Sequence, residues 1–205
     1  MTANTGIDAL AQAIAATIAT VRTPVGDAVA LEAVRLMGAS LPVAVRNGDD
    51  AVARSNMACG AMMAGLAMNI SDCTAEHSLG QAIGGVTSAP HGLTIGLVLV
   101  ETLDRERRYA AAQLERVADA WGLPDDGSGD GTRLVTAIRS LLAELQFPVL
   151  TDLGFTEPDL DRLTDLALAD YFITMSPHPW ERTEVRHAFA AAMALRDRRL
   201  TPTAG

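Results

Sequence analysis

The chain is poor in aromatic residues, in cysteine and in basic charge. Aromatic side chains make up only 4% of its 205 residues, so the core has to be built from Ala, Leu, Val, Ile and Met. A net charge of −9 argues against the basic surface that nucleic-acid binding requires. The two cysteines, Cys59 and Cys73, form no C-x-x-C pair, which argues against a zinc knot or a dithiol site. We expect both to be small buried hydrophobic residues in a reducing cytoplasm.

Signals for a sheet, a leader and a membrane span are also missing. No segment alternates apolar and polar residues with β-branched enrichment, so no sheet is expected. No basic segment precedes an apolar core at the N-terminus, and polar residues such as Gln12, Asp72 and Gln81 interrupt the most apolar tracts. Abundant Ala and Leu instead predict one all-α domain over residues 1–205, of eight or nine helices, with a disordered tail at 200–205.

The first third of the chain shows helical spacing of apolar residues. Residues 5–21 form one such segment, in which Asp8 and Gln12 are four positions apart and share a helix face. This polar pair fits a solvent-facing stripe as well as it fits a site. Thr23 and Pro24 are typical of a helix start, and this second helix is predicted to end near Gly38.

A long apolar helix is predicted next. Pro42 opens a short separate segment that stops at Asn47, and Asp49 or Asp50 then caps a helix that reaches about residue 70. Because this helix is apolar on every face, we expect it to be buried on most sides. Its methionines are predicted to fill the core, and they are Met57, Met62, Met63 and Met68.

The stretch 71–100 carries two of the four histidines, His77 and His91, in an apolar and glycine-rich setting. Its pattern predicts a short helix, a loop, and a second helix starting near Pro90. A buried imidazole needs a carboxylate, a carbonyl or a metal as partner. Spacing alone leaves open whether the two histidines are separate core groups or ligands of one ion. Glu76 precedes His77 directly, and adjacent helical residues are not expected to face each other.

The second half is predicted to continue as helices joined by loops. A helix over 103–121 stops at Gly122, and the acidic loop 125–131 resembles the start of a calcium loop. The glutamate that such a loop requires at its twelfth position is Ala137 here, so the segment is interpreted as a helix–helix connection. The segment 176–179, Ser-Pro-His-Pro, forms a rigid elbow before the last helix.

Several tracts resemble one known family when they are taken in order. TGIDALAQAI, AVARSNMACGAMMAGLAM, EHSLGQAIGG, APHGLTIGLVLV and LGFTEPDLDRLTDLAL are similar to the C-terminal helical domain of the iron-containing (group III) alcohol dehydrogenases. The resemblance runs from about Thr5 to Leu195.

The resemblance implies a divalent ion, usually iron or zinc, held by one aspartate and three histidines. The aspartate position falls on Asp8, and two of the histidine positions fall on His77 and His91. The third falls on Gln12, and a further family histidine that faces the nicotinamide is Gln81 here, so a cofactor contact is expected at Gln81. An amide oxygen is a poorer ligand than imidazole for late first-row metals, so Gln12 weakens the expected site.

The implied function is hydride exchange between NAD(P) and a small alcohol or carbonyl compound, with the metal as Lewis acid. The family binds the nucleotide in an N-terminal α/β domain, which we expect to be absent here because no G-x-G-x-x-G follows a strand. It would be a separate chain or would have been removed from this one. Two alternatives stay open. One is a metal-free relative that reduces an oxo-acid, and the other is a non-catalytic module that binds a partner or forms a homo-oligomer.

Overall fold

The computed structural model describes residues 1–199, and in this range the chain folds into eight α-helices and three short 3₁₀ helices without any strand. The predicted all-α fold is therefore confirmed, while the predicted disordered tail at 200–205 lies outside the described residues. The α-helices are α1 (Thr2–Ile18), α2 (Pro24–Arg46), α3 (Ala51–Ser71), α4 (Ala75–Gly84), α5 (His91–Trp121), α6 (Thr132–Glu144), α7 (Leu160–Leu168) and α8 (Arg182–Arg199). The 3₁₀ helices are Leu150–Leu153, Glu157–Asp159 and Phe172–Met175.

Two predicted helix boundaries were wrong. α2 continues through Pro42 as one helix instead of ending near Gly38. Close packing on α3 supports it there, since a Cβ on Gly60 of α3 would lie only 2.4 Å from the Met37 side chain. The helix expected at 103–121 is the second half of α5, which bends at Ala110 (φ −133°, ψ 30°) without ending. Tertiary packing thus overrides the local break signals.

α3 is covered on one face only, so the prediction that it is buried on most sides was wrong. Val52, Met62 and Leu66 are exposed, and so is Cys59, whose predicted burial was also wrong. Cys73 is buried as predicted. The sequence of α3 offers no polar stripe that would mark its exposed side. The residues that α3 does bury recur at helical spacing, and they are Ala53, Met57, Gly60, Ala64, Ala67 and Ser71.

Among the described helices, α2 is the one whose length and apolar composition would let it cross a membrane. This is weak evidence for a span, because core helices of soluble proteins meet the same criterion. In the present fold 44% of its most apolar window is buried inside the protein.

Among the described residues the fold holds two main apolar clusters that share α5, besides a small third cluster of three alanines at positions 16, 30 and 67. The larger one surrounds α1, whose Ile7, Leu10 and Ile14 are fully buried. The smaller one joins α4 and the start of α5 to α7 and α8. The N-terminal ends of α1, α4 and α5 therefore meet at the boundary between the two clusters, and this is where the polar residues singled out above come together.

A buried polar group fastens α8 and the elbow 176–179 to α5. The Arg105 guanidinium is only 6% exposed and donates to both carboxylate oxygens of Glu184, at 3.2 and 2.9 Å. It also donates to the backbone carbonyls of His178 and Pro179. Next to it, Glu106 is buried and accepts a hydrogen bond from the Trp180 indole at 2.8 Å. Hydrogen-bonded buried charges thus join the elbow and α8 to α5 beside the smaller apolar packing of this side.

Candidate metal centre

The acidic side chain of the site comes from the second turn of α1. Asp8 lies on the partly polar edge of an otherwise buried helix, and its side chain is 22% exposed. Gln12 follows one turn later, and its Nε2 donates to Asp8 Oδ2 at 3.4 Å. Asp8 and Gln12 therefore share a helix face, and the Gln12 amide lies next to the carboxylate.

Two imidazoles approach the same carboxylate oxygen from two other helices. His77 lies in the first turn of α4, and His91 is the first residue of α5 after Pro90. Asp8 Oδ1 is 3.5 Å from His77 Nε2 and 3.4 Å from His91 Nε2. Donor atoms from all three residues lie within 4.8 Å of one another. Three of the four residues predicted as metal ligands thus face one small space.

The charge state of this space is unusual for a buried site. Burial would raise the pKa of Asp8, but its contacts with His77 and His91 outweigh burial and lower that pKa to about 2. Burial would lower the pKa of His77, yet Asp8, Cys73 and Glu76 together raise it to about 12. The carboxylates around His77 therefore favour a positive charge at this point.

Two atoms of the site lack a hydrogen-bond partner among the described residues. Asp8 Oδ1 and His77 Nε2 are both buried, and their mutual approach does not meet hydrogen-bond geometry. An unsatisfied buried polar atom costs roughly 1–3 kcal/mol. A divalent cation between Asp8, His77 and His91 would satisfy both atoms, so these three residues fit a metal. The neutral amide of Gln12 is the weak member of the set.

Glu76 orients His77, although sequence reasoning gave no contact between these neighbours. Glu76 Oε1 lies 2.8 Å from His77 Nδ1. The expectation failed because Glu76 is in the first turn of α4, where its carboxylate folds back and accepts from the backbone N–H and the hydroxyl of Thr74. A hydrogen bond from Nδ1 to this carboxylate leaves Nε2 directed at Asp8, as in the carboxylate–histidine pairs of metal sites.

Two further neighbours of His77 were not identified from the sequence. The Phe172 ring approaches His77 edge-on with its centroid 5.7 Å away, and nothing in the local sequence marks this contact. The Cys73 thiol lies with Glu76 and His77 in a second group whose donor atoms are within 4.8 Å of one another. Burial raises the pKa of this thiol, and the contact with His77 opposes the rise only in part.

Gln81, the expected cofactor contact, lies one turn after His77 on α4. It is half-buried and lines a cavity of about 250 Å³ between α4 and α7, together with Arg162, Leu166 and Asp170. Its assignment to a cofactor stays a prediction.

Gly92 sets the distance between α1 and α5 at the site. A Cβ at this position would stand 2.0 Å from the Asn4 backbone carbonyl oxygen and 3.1 Å from the Asp8 Cβ. Gly92→Ala is therefore expected to lower the free energy of unfolding by roughly 1–3 kcal/mol through overpacking, and to move His91 away from Asp8. Urea denaturation measures the first effect and a metal titration the second.

Gly65→Ala is the matched control, since a Cβ at this helical position would meet nothing within 4 Å. It is expected to raise stability by roughly 0.5–1 kcal/mol. Equal stabilities for the two variants would contradict the close approach at Gly92.

Comparison with known proteins identifies relatives over nearly the whole chain. The model of the Fe-containing alcohol dehydrogenase family, C-terminal part, matches residues 2–193. A 1,3-propanediol dehydrogenase of Citrobacter freundii is 32% identical over 196 residues, which cover 94% of this chain and 51% of that protein. The chain thus spans about half the length of the curated relatives it matches.

Solved structures give the same result for the fold. The crystal structure of a 1,3-propanediol oxidoreductase superposes with a TM-score of 0.90 at 29% identity, over 93% of this chain and 51% of that one. A maleylacetate reductase from Rhizobium sp. superposes with a TM-score of 0.82 at 28% identity, over 94% and 52%. The resemblance and fold class predicted from the sequence are both confirmed.

Proposed function

The chain belongs to the iron-containing alcohol dehydrogenase family as its C-terminal helical half, and on that premise we propose that it is the metal-binding half of an NAD(P)-dependent alcohol dehydrogenase. The observation that carries the proposal is the convergence of Asp8, His77 and His91 on one point. Two of their buried donor atoms there have no hydrogen-bond partner among the described residues.

Each residue has a distinct part in this proposal. Asp8, His77 and His91 would hold a divalent ion, iron or zinc, which when bound polarises the oxygen of an alcohol or carbonyl compound. Glu76 fixes the His77 ring through Nδ1. Phe172 packs against that ring at 5.7 Å between centroids. His91 is 48% exposed, so the open side of the site faces outward beside this residue.

The nicotinamide cofactor is assigned to an α/β half outside these 205 residues, with Gln81 as the contact from this chain. The curated relatives include dehydrogenases of 1,3-propanediol, and we extend small alcohol or aldehyde substrates to this chain by that likeness. A cytoplasmic location is part of the same proposal, since the free cysteines fit a reducing compartment.

Isothermal titration of the 205-residue chain with Zn²⁺, Ni²⁺ and anaerobic Fe²⁺ tests the metal role. We expect one ion per chain with a dissociation constant below millimolar, and a large loss of affinity in His91→Ala. His187→Ala is the control, because His187 is exposed and lies outside the cluster. Failure of all three ions to bind tighter than millimolar would overturn the metal role.

A metal-free reductase of an oxo-acid is the second candidate. Gln12 favours it, since its amide donates to Asp8 where the family places a third imidazole. The maleylacetate reductase among the structural neighbours shows that this fold also occurs in an enzyme named for the reduction of an oxo-acid. The same titration separates the candidates, because stoichiometric metal binding by the natural chain would rule out the metal-free one.

A further inference from the structure

A second cavity, of about 280 Å³, lies beside the candidate metal centre between the end of α3 and the 3₁₀ helix Phe172–Met175. We propose that this cavity holds the far end of the substrate and prefers a positively charged group there, so that the natural substrate is a short amino alcohol or its aldehyde. Its lining contains one ionisable group, Asp72, and the lining residues are Val21, Met68, Asn69, Ile70, Asp72 and Phe172.

Phe172 connects the cavity to the site. Its ring lines the cavity and also contacts the His77 ring edge-on at 5.7 Å between centroids. Phe172 is therefore shared by the cavity and by the surroundings of the histidine that faces Asp8. That the other end of the substrate reacts at the metal centre rests on the proposed function. The preference of the cavity for a positive charge rests on the cavity alone.

Asp72 supplies the charge, and its backbone is held in a strained conformation. Its φ of 67° and ψ of −178° lie in a region that L side chains rarely adopt. Two contacts hold the carboxylate in place: Oδ1 accepts from the Cys73 N–H at 3.0 Å, and Oδ2 accepts from the Tyr171 hydroxyl at 2.9 Å. Strained residues that are fixed in this way cluster at ligand sites.

No cation of the described chain neutralises this carboxylate. Arg22 follows Val21 in sequence, but its guanidinium pairs with Asp27 on α2 at 3.1 Å. The other lining groups are apolar, apart from Asn69, whose amide donates to the Gly65 carbonyl. A carboxylate that no cation neutralises attracts an ammonium group, which gains further where it meets the face of an aromatic ring. An anionic substrate end would be repelled.

Three inert probes of similar shape and different charge test the preference. Titrations of the ¹⁵N-labelled chain with tetramethylammonium, tert-butanol and pivalate are followed by amide chemical shifts, without any metal. We expect tetramethylammonium to shift residues around the cavity most strongly, tert-butanol weakly and pivalate least. Shifts that are absent from the cavity, or equal for the three probes, would overturn the proposal.

Asp72→Asn is the decisive variant, because asparagine tolerates positive φ and keeps one oxygen that can accept from the Cys73 N–H, while its NH₂ can donate to the Tyr171 hydroxyl oxygen. It is expected to weaken tetramethylammonium binding roughly three- to fivefold, to the level of tert-butanol. Asp49→Asn removes the same charge from an exposed turn and should change nothing. An unchanged affinity in Asp72→Asn would also overturn the proposal. Because no metal is used, failure here leaves the metal titration and the proposed function intact.

Discussion

Gln12→His is expected to bind Zn²⁺ roughly 100-fold more tightly than the natural chain. Zinc binding to structural sites with four protein ligands has a free energy of about 10–16 kcal/mol, so one imidazole ligand contributes about 3 kcal/mol of binding free energy. Gln12 is well placed for the exchange, since it lies one turn after Asp8 and its amide already contacts that carboxylate at 3.4 Å. The new imidazole would complete one carboxylate and three imidazoles around the point that Asp8, His77 and His91 share. Competition titration with a chromogenic zinc chelator measures the ratio.

The same substitution at the other glutamine provides the control. Gln81→His adds an imidazole one turn after His77, at a residue that lines the separate cavity between α4 and α7. Its zinc affinity is expected to stay within about threefold of the natural value, since a group that does not contact the ion adds little. Equal gains at positions 12 and 81 would show that any added histidine raises zinc binding, and the proposed ligand geometry would then be wrong.

Some features of the candidate site can be predicted from one sequence and others cannot. The positions of Asp8, His77 and His91 followed from the family resemblance, and the capping residues Thr23 and Asp50 from local chemistry. The contact between Glu76 and His77 did not follow, because it depends on the carboxylate folding back onto Thr74. Such contacts depend on side-chain geometry in one helical turn, which spacing rules do not describe.

The errors in the fold have a related cause. Pro42 is a strong local break signal, yet α2 continues through it because packing along α3 stabilises the helix. The exposed face of α3 was taken for a buried one because small apolar residues occupy both faces. A hydrophobic pattern predicts which residues can be buried, whereas the neighbours that bury them are a property of the folded chain.

Arg105→Ala is expected to lower the free energy of unfolding by about 3–5 kcal/mol. The substitution removes the guanidinium donor from the carbonyls of His178 and Pro179 and from the Glu184 carboxylate, which still accepts from the Glu181 N–H. It also removes the cation that packs 4.5 Å from the Trp180 ring. For a chain of this size, 1 kcal/mol corresponds to roughly 2–4 °C in Tm, so a fall of about 10 °C is expected. Thermal and urea denaturation measure the loss.

The loss is also expected to depend on pH through Glu106. Burial raises the pKa of Glu106 to about 7, although Trp180, Ser176 and Arg105 favour the charged form. Because the raised pKa means that the folded chain holds this proton more tightly than the unfolded chain, protonation of Glu106 stabilises the fold at low pH. The free energy of unfolding of the natural chain should therefore fall as pH rises from about 4.5 to 7. Without Arg105 the ionised form loses its nearby cation and the pKa rises further. Arg105→Ala should therefore lose more stability at pH 8 than at pH 5.

Two controls separate the buried charge from its surroundings. Arg35→Ala breaks an ion pair with Glu32 whose side chains are 58% and 42% exposed, and it should cost less than about 1 kcal/mol. Arg105→Lys keeps the charge but loses the planar fork that reaches Glu184 and the two carbonyls at once, so its loss should lie between those of the two alanine variants. A loss at Arg105 no larger than at Arg35 would mean that apolar packing alone holds α8 and the elbow, and that the buried ion pair adds nothing to their stability.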